Sequence, residues 1–267
     1  MLDNIKYTDD IDIFPESISD EDLIDSGIDV EILNIREENF NDWICNREKL
    51  TSYTRLIRYY LSTYVLQLGK QDTVLDVGSG DDIYNSVIAG MVRECTLNDV
   101  SFQKDISCNY YSGNIVGSKI VEKKYSVVNV GHAFEHFKDN EDTLFVESLP
   151  DLLMKGGRAC IEPLFVGKNY LEVFSYKKLC GYDASAKAIF TQESGFPGKQ
   201  SENMGFARIY DVAALKKRVL LPIINCGMTY NIYSFMQNSE YLPDMSRYQF
   251  KRKNINYPLR ILLIGYK

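Results

Sequence analysis

Cysteine chemistry is the first thing this sequence lacks. Its six cysteines (Cys45, Cys95, Cys108, Cys160, Cys180 and Cys226) are widely scattered, with no C-x-x-C pair and no zinc-like cluster. That spacing excludes a zinc ribbon and reads as reduced thiols in the cytoplasm. The opening residues "MLDNIKYTDDIDIF" show no basic start followed by an apolar stretch, so no secretory leader is expected. No uninterrupted run approaches the ~18 apolar residues that a membrane span needs. Positive charge is scarce too, leaving a formal net charge of −7. A large non-specific nucleic-acid footprint needs a basic surface to displace counterions, so neither nucleic acid nor membrane is expected as a partner. Internal repeats and low-complexity tracts are also missing.

What is present is apolar material, 45% of 267 residues, enough for one α/β domain with additions. Met1 to Leu50 holds fifteen Asp/Glu against four Lys/Arg, whereas Asp211 to Lys267 holds three against nine. Residues 1 to 45 are expected to form an acidic N-terminal arm, with "SISDEDLIDSG" as a short helix capped by Ser19, on a domain running from 46 to 267. From Arg47 to Leu68 apolar and aromatic residues recur every three or four positions, predicting an amphipathic helix that Gly69 ends. "DTVLDVGSG" reads as a strand and glycine turn, "DIYNSVIAGMV" as a helix, and "CTLNDV", "YSVVNVG" and "GRACIEPLF" as further strands. A helix over "DNEDTLFVESLPDLLMKGG" is expected to open at Asp139 and close at the Gly156-Gly157 pair. Strands alternating with helices imply a mostly parallel sheet. Residues 167 to 210 lose the pattern, as an active-site lid would. The helix "DVAALKKRVL" and the strands "MTYNIYSFM" and "PLRILLIGYK" then predict an antiparallel edge. "KKR" at 216–218 and "FKRK" at 250–253 are expected to be solvated.

The stretch "VLDVGSGDD", residues 74–82, is the strongest local signal. In an open parallel sheet, ligands sit beyond the carboxyl ends of the strands. Gly78 and Gly80 let backbone amides approach a ligand where a Cβ would collide, and Asp76 is placed to accept from those amides or from a ligand amine. A nicotinamide-dinucleotide turn carries a third glycine for the pyrophosphate, and here that position is Ile83. Asp81 and Asp82 would repel a pyrophosphate, so a cationic or zwitterionic ligand fits better.

D-x-G-S-G after a strand, an acidic residue about twenty positions later and L-x-x-G-G before a further strand resemble the class I S-adenosylmethionine-dependent methyltransferases. The resemblance runs from about Arg47 to Glu162 and weakly on to the C-terminal strand pair. It implies a Rossmann-like α/β fold: a seven-stranded, mostly parallel sheet with an antiparallel C-terminal edge, plus a helical N-terminal arm and a lid-like insertion at about 167–210. It implies S-adenosylmethionine as cofactor, S-adenosylhomocysteine as product, and a monomer or homodimer acting on a small molecule. The methionine end of the cofactor would lie on Asp76, Gly78, Ser79 and Gly80, near Gly131, and the ribose hydroxyls on Asp99. Family members often touch the adenine amine with an acidic residue near the third strand; "YYSGNIVG" offers Asn114 instead.

Both histidines lie in "VGHAFEHFKD", after the fourth strand of that pattern. His132 is the candidate base or substrate ligand, since imidazole titrates near neutrality. Glu135 and His136 resemble the E-H pair of small-molecule members, where it orients the site. His132 and His136 have H-x-x-x-H spacing, but no further metal ligand is evident, so no metal is expected. The (N/D)-P-P-(Y/F) signature of members that methylate nucleobase amines is missing. Glu162 after the fifth strand, Tyr53 on the leading helix, and Arg208 and Tyr210 in "FARIYD" are candidate acceptor-side residues. The combination H-x-F-E-H-F, K-G-G-R and P-L-F is similar to methyltransferases encoded among bacterial capsule and surface-polysaccharide genes, which implies a sugar hydroxyl or phosphate-type group as acceptor. Methylation of nitrogen or carbon on another metabolite, and a non-catalytic cofactor-binding module, remain the alternatives.

Overall fold

The computed structural model describes residues 6–8, 17–33, 37–45, 47–51, 53–100, 108–116, 123–175, 188–191, 205–235 and 259–267. In chain order the strands are β1 (Lys6–Thr8), β2 (Val30–Leu33), β3 (Thr73–Val77), β4 (Glu94–Asp99), β5 (Asn109–Ser112), β6 (Tyr125–Gly131), β7 (Leu153–Glu162), β8 (Leu171–Ser175), β9 (Ala188–Thr191), β10 (Gly205–Ile209), β11 (Met228–Phe235) and β12 (Leu259–Tyr266). The helices are α1 (Asp20–Asp25), α2 (Glu37–Ile44), α3 (Tyr53–Leu66), α4 (Ile83–Ile88), α5 (Glu141–Leu152), α6 (Val212–Leu215) and α7 (Leu221–Asn225), the last two joined by a π-helical turn, Lys216–Leu220. Among the described residues no helix is long and apolar enough to cross a membrane.

One sheet has eight strands in the order β2-β11-β12-β7-β6-β3-β4-β5, and a second has four in the order β1-β9-β8-β10. From β7 to β5 the large sheet is parallel, and β12 runs antiparallel to both β7 and β11. The expected count of seven is therefore corrected to eight. The extra strand is β2, which pairs parallel with β11, so the outer edge comes from the N-terminal arm and not from the C-terminal strands. That arm is not simply helical: besides α1, capped by Ser19 as expected, it gives β1 to the small sheet. The stretch expected to be a lid contains β8, β9 and β10 of this antiparallel sheet. "FKRK" lies outside the described residues, as does most of 176–204.

All five residues of β3 are buried, as a central parallel strand covered on both faces requires. Side chains alternate across the sheet. Val74 and Val127 meet α3 and α4 on one face, while Leu75, Val77, Val128 and Val130 meet α5 and the C-terminal helical turns on the other. Asp76 and Asn129 share the parity of Val74 and Val127 and so point to the α3 face. α3 starts at Tyr53, later than the periodicity suggested, because 47–50 form a turn with Leu50 exposed; Gln67, at φ 49°, takes the left-handed position expected of Gly69. α5 opens after Asn140 and stops at Leu152, and the Gly156-Gly157 pair lies within β7. A Cβ on Gly157 would sit 2.7 Å from the Met154 carbonyl oxygen, so close backbone packing, not a helix stop, demands that glycine.

Candidate functional site

β3, β4 and β6 end on one side of the sheet around a cleft of about 360 Å³, lined by Gly78, Asp99, Asn114, His132, His136 and Glu141, among others. That volume is within the range of small-ligand sites. The turn after β3 brings Gly78 (φ 68°) and Gly80 (φ 65°) into left-handed conformations. A Cβ on Gly78 would lie 2.2 Å from the Ala133 Cβ, so glycine lets this turn close against the segment after β6. A Cβ on Gly80 would meet nothing within 4 Å, leaving space in front of its backbone.

The turn's amides do not go to Asp76, as the sequence suggested. Gly78 and Ser79 N–H donate to the Asn98 carbonyl (2.8 and 3.0 Å), and Gly80 N–H donates to Asp99 Oδ2 (2.9 Å). Asp76 instead accepts from Asn129 Nδ2 (2.7 Å), the neighbour across β6. Burial, reinforced by Asp81 and Asp99, pushes the Asp76 carboxyl up to about 7, with Asn129 opposing. Asp81, expected to repel an anion, is partly neutralised by Arg55 of α3 at 2.7 Å. Asn98 also donates from Nδ2 to the Tyr111 and Gly113 carbonyls, both at 3.0 Å, so its carbonyl and side chain together tie the glycine turn to the end of β5.

After β6, His132 has φ 52° and its N–H donates to the Glu162 carbonyl (2.7 Å). A histidine in that region is an outlier of the kind that marks a constrained site. Its Nδ1 lies 3.0 Å from Glu135 Oε1, and His136 Nε2 lies 3.8 Å from the same oxygen. Because a carboxylate only accepts, ionised Glu135 places the His132 proton on Nδ1 and the lone pair on Nε2. Burial raises the Glu135 carboxyl above its ordinary range, opposed by His136 and Arg58. Its Oε2, like Asn129 Oδ1 and Ser79 Oγ, is buried without a hydrogen-bond partner among the described residues. His136 Nδ1 meets the Phe206 carbonyl on β10.

The structure brings Asp99, Asn114, Gly78, His132 and His136 to one cavity, and Glu162, Arg208 and Tyr210 are not on its lining. Glu162 is buried, with Arg58 Nε and Nη2 on its two oxygens at 3.0 and 3.1 Å, so it anchors α3 to β7. Burial raises its carboxyl, Arg58 opposes, and Glu135 adds to the rise. Arg208 is wholly buried and Tyr210 donates to Asp142 Oδ2 (2.7 Å), so neither grips a ligand from a lid. Arg218 of "KKR" reaches the same Asp142 (2.7 Å) and is not simply solvated. Tyr53 opens α3, but its side chain lies outside the described residues. Sequence reasoning missed Asn98, Asn129 and Glu141. Glu141 accepts from Asn114 Nδ2 (2.7 Å), so an acid does stand beside Asn114, brought by α5 and not by the third strand. No group of three or more His, Cys, Asp and Glu with metal-ligand geometry occurs among the described residues.

The mostly parallel sheet with an antiparallel β12 is similar in fold to a solved methyltransferase crystallised with S-adenosylhomocysteine. Among solved structures, the 1,6-didemethyltoxoflavin-N1-methyltransferase of Burkholderia thailandensis, with bound 1,6-didemethyltoxoflavin and S-adenosylhomocysteine, superposes with a TM-score of 0.52 at 9% identity over 88% of this chain and 92% of that one. DesVI of Streptomyces venezuelae gives 0.47 at 10% identity over 88% and 99%, and an S-adenosylmethionine-dependent methyltransferase from Clostridium acetobutylicum gives 0.47 at 10% over 87% and 93%. No protein-family model and no curated protein matches the sequence. At these identities the likeness is one of fold.

Proposed function

We propose that the chain is an S-adenosylmethionine-dependent methyltransferase acting on an oxygen of a small molecule, a sugar or a phosphate- or phosphoramidate-type precursor of a bacterial surface polysaccharide. The observation that carries the reading is that Asp99, oriented by Gly80 N–H, and His132, oriented by Glu135, line one cleft at the strand ends. The surface-polysaccharide part rests on the sequence resemblance around His132–Phe137 and Pro163–Phe165.

The residues suit the cofactor. A sulfonium and an ammonium are favoured beside Asp76, Asp81 and Asp99, and the buried unpartnered acceptors Asn129 Oδ1 and Glu135 Oε2 suit a hydrogen-bond donor. The Burkholderia enzyme, crystallised with S-adenosylhomocysteine, supports the same choice. Asp99 and Asn114 would hold the adenosine end, and Asp76, Gly78, Ser79, Gly80 and Gly131 the amino-acid end. When bound, S-adenosylmethionine supplies a methyl carbon made electrophilic by its sulfonium. The chain orients the acceptor, excludes water and manages one proton. His132 Nε2 accepts the hydroxyl proton, and Glu135 on Nδ1 stabilises the resulting imidazolium. His136, fixed at Phe206, forms the neighbouring wall. A nitrogen acceptor is the second reading, favoured by Glu135 Oε2, which suits an amine N–H.

Calorimetric titration with S-adenosylmethionine, S-adenosylhomocysteine and NAD, on wild type and Asp99→Ala, tests the cofactor. Micromolar binding of the first two, weakened in the variant, is expected; binding of NAD alone would overturn the reading. Uptake of labelled methyl by sugars and phosphorylated sugars, compared with amines, then decides the acceptor class.

A further inference from the structure

The second sheet does more than cover the domain. β10 runs beside the short 3₁₀ turn Phe134–His136, and the residues that follow, Phe137, Lys138 and Glu141, line the cleft together with His136. We infer that the four-stranded sheet positions this wall of the cleft, and that Arg208 is the positioning residue.

Arg208 is fully buried and makes four hydrogen bonds and an ion pair. Nε donates to Tyr170 Oη (3.0 Å), Nη1 to the Phe137 carbonyl (2.9 Å), and Nη2 to the Asp139 carbonyl (2.8 Å) and Glu172 Oε1 (3.1 Å), while Nη1 also pairs with Asp142 Oδ2 (2.9 Å). Tyr170 and Glu172 belong to the small-sheet side, with Glu172 directly opposite Arg208 in the β8–β10 register. The Phe137 and Asp139 carbonyls belong to the cleft wall. One planar guanidinium therefore bolts the sheet to the wall. Asp139 is at φ 49°, a conformation that holds its carbonyl toward Arg208 and Arg218. Two residues along β10, the Phe206 carbonyl receives His136 Nδ1–H, fixing the tautomer and orientation of the ring. Asp142 and Glu172 balance Arg208 and Arg218 in charge, so this buried set needs no ligand to complete it. Its geometry is what the cleft uses.

The effect on ligand binding rests on the cofactor reading above, so the test has one readout that does not. The chain has two histidines; ¹⁵N-histidine labelling therefore gives two imidazole systems, assigned with His132→Gln. Arg208→Lys keeps the charge but presents a single ammonium in place of the fork. It is expected to unfold cooperatively, to lose the exchange-protected Nδ1–H signal of His136, and to bind S-adenosylhomocysteine at least tenfold more weakly, about 1.4 kcal/mol. An unchanged His136 signal with unchanged affinity overturns the inference. If wild type binds no S-adenosylhomocysteine, the cofactor reading fails. The inference is then judged on the His136 signal alone: loss in Arg208→Lys supports it and persistence refutes it. Should Arg208→Lys not fold, Tyr170→Phe removes one of the four hydrogen-bond acceptors while keeping the ring; a smaller loss of the same signal is expected, and none would refute the positioning role.

Discussion

In the role proposed for Asp76, stability and cofactor binding respond to pH in opposite directions. It is 4% exposed, its carboxyl titrates at about 7 instead of 3.8, and its one hydrogen-bond donor among the described residues is Asn129. A carboxyl whose pKa is raised by folding holds its proton in the native state over a range in which the unfolded chain has lost it. Its contribution to stability is thus fully present below about 3.8 and is lost as pH rises to about 7. At about 1.4 kcal/mol per pH unit, wild type should lose roughly 3 kcal/mol relative to Asp76→Asn between pH 5 and 8, because the variant has nothing to titrate and its amide oxygen still accepts from Asn129. Urea unfolding of both proteins at pH 5, 6, 7 and 8 measures the difference directly. Binding should run the other way: a cationic ligand favours the ionised carboxylate, so affinity of wild type for S-adenosylmethionine rises from pH 6 to 8, and Asp76→Asn binds weakly throughout. A stability difference that stays flat across the series would show that Asp76 is ionised in the native state and that its burial is not what governs it.

Gly78→Ala combines a Cβ contact of 2.2 Å with a positive φ, whereas Gly80→Ala has only the φ penalty. The first should lower stability by well over the roughly 1–2 kcal/mol expected of the second, and thermal melting will order them. Glu162→Ala removes the buried carboxylate that Arg58 Nε and Nη2 donate to and should cost about 3–5 kcal/mol, while the double replacement of both by methionine should recover most of it. Chemical denaturation of the single and double variants checks the pair. His132→Ala should slow transfer to an alcohol by about 10²–10⁴ and transfer to an already anionic acceptor far less, as single-turnover methyl transfer will report. Equal losses on both would assign His132 to packing.

Periodicity and local chemistry made the large sheet legible. β3, β4, β6 and β7 are short strands closed by turn signals, and Gly78 and Asp99 line the cleft at the strand ends. Long-range pairing was not legible. Arg58 and Glu162 are 104 residues apart, and each alone reads as a surface charge or a ligand contact. Arg208 read as an acceptor-side residue because an arginine beside a tyrosine has the same local appearance whether its partners are a ligand or buried protein acceptors. Val30–Leu33 is too short and too exposed to announce itself as a strand; only β11 makes it one. Asn129 interrupts the valine run Val127–Val130 of β6, and that polar interruption was the available sign of its pairing with Asp76.

The parallel pairing of β2 with β11 also sets an order of events during synthesis. Residues 30–33 leave the ribosome almost two hundred residues ahead of Met228–Phe235, and the buried Asp20–Arg260 pair spans 240 positions. Until β11 has emerged β2 lacks its strand partner, and until Arg260 follows Asp20 lacks its guanidinium, while β3 to β7 can already assemble among themselves. Within the N-terminal arm, β1 can meet β9 early, but β2 is among the last elements to be stitched in. A nascent chain stalled before β11 would carry a nearly complete cleft with β2 still unpaired, a window in which chaperones or proteases would meet it first.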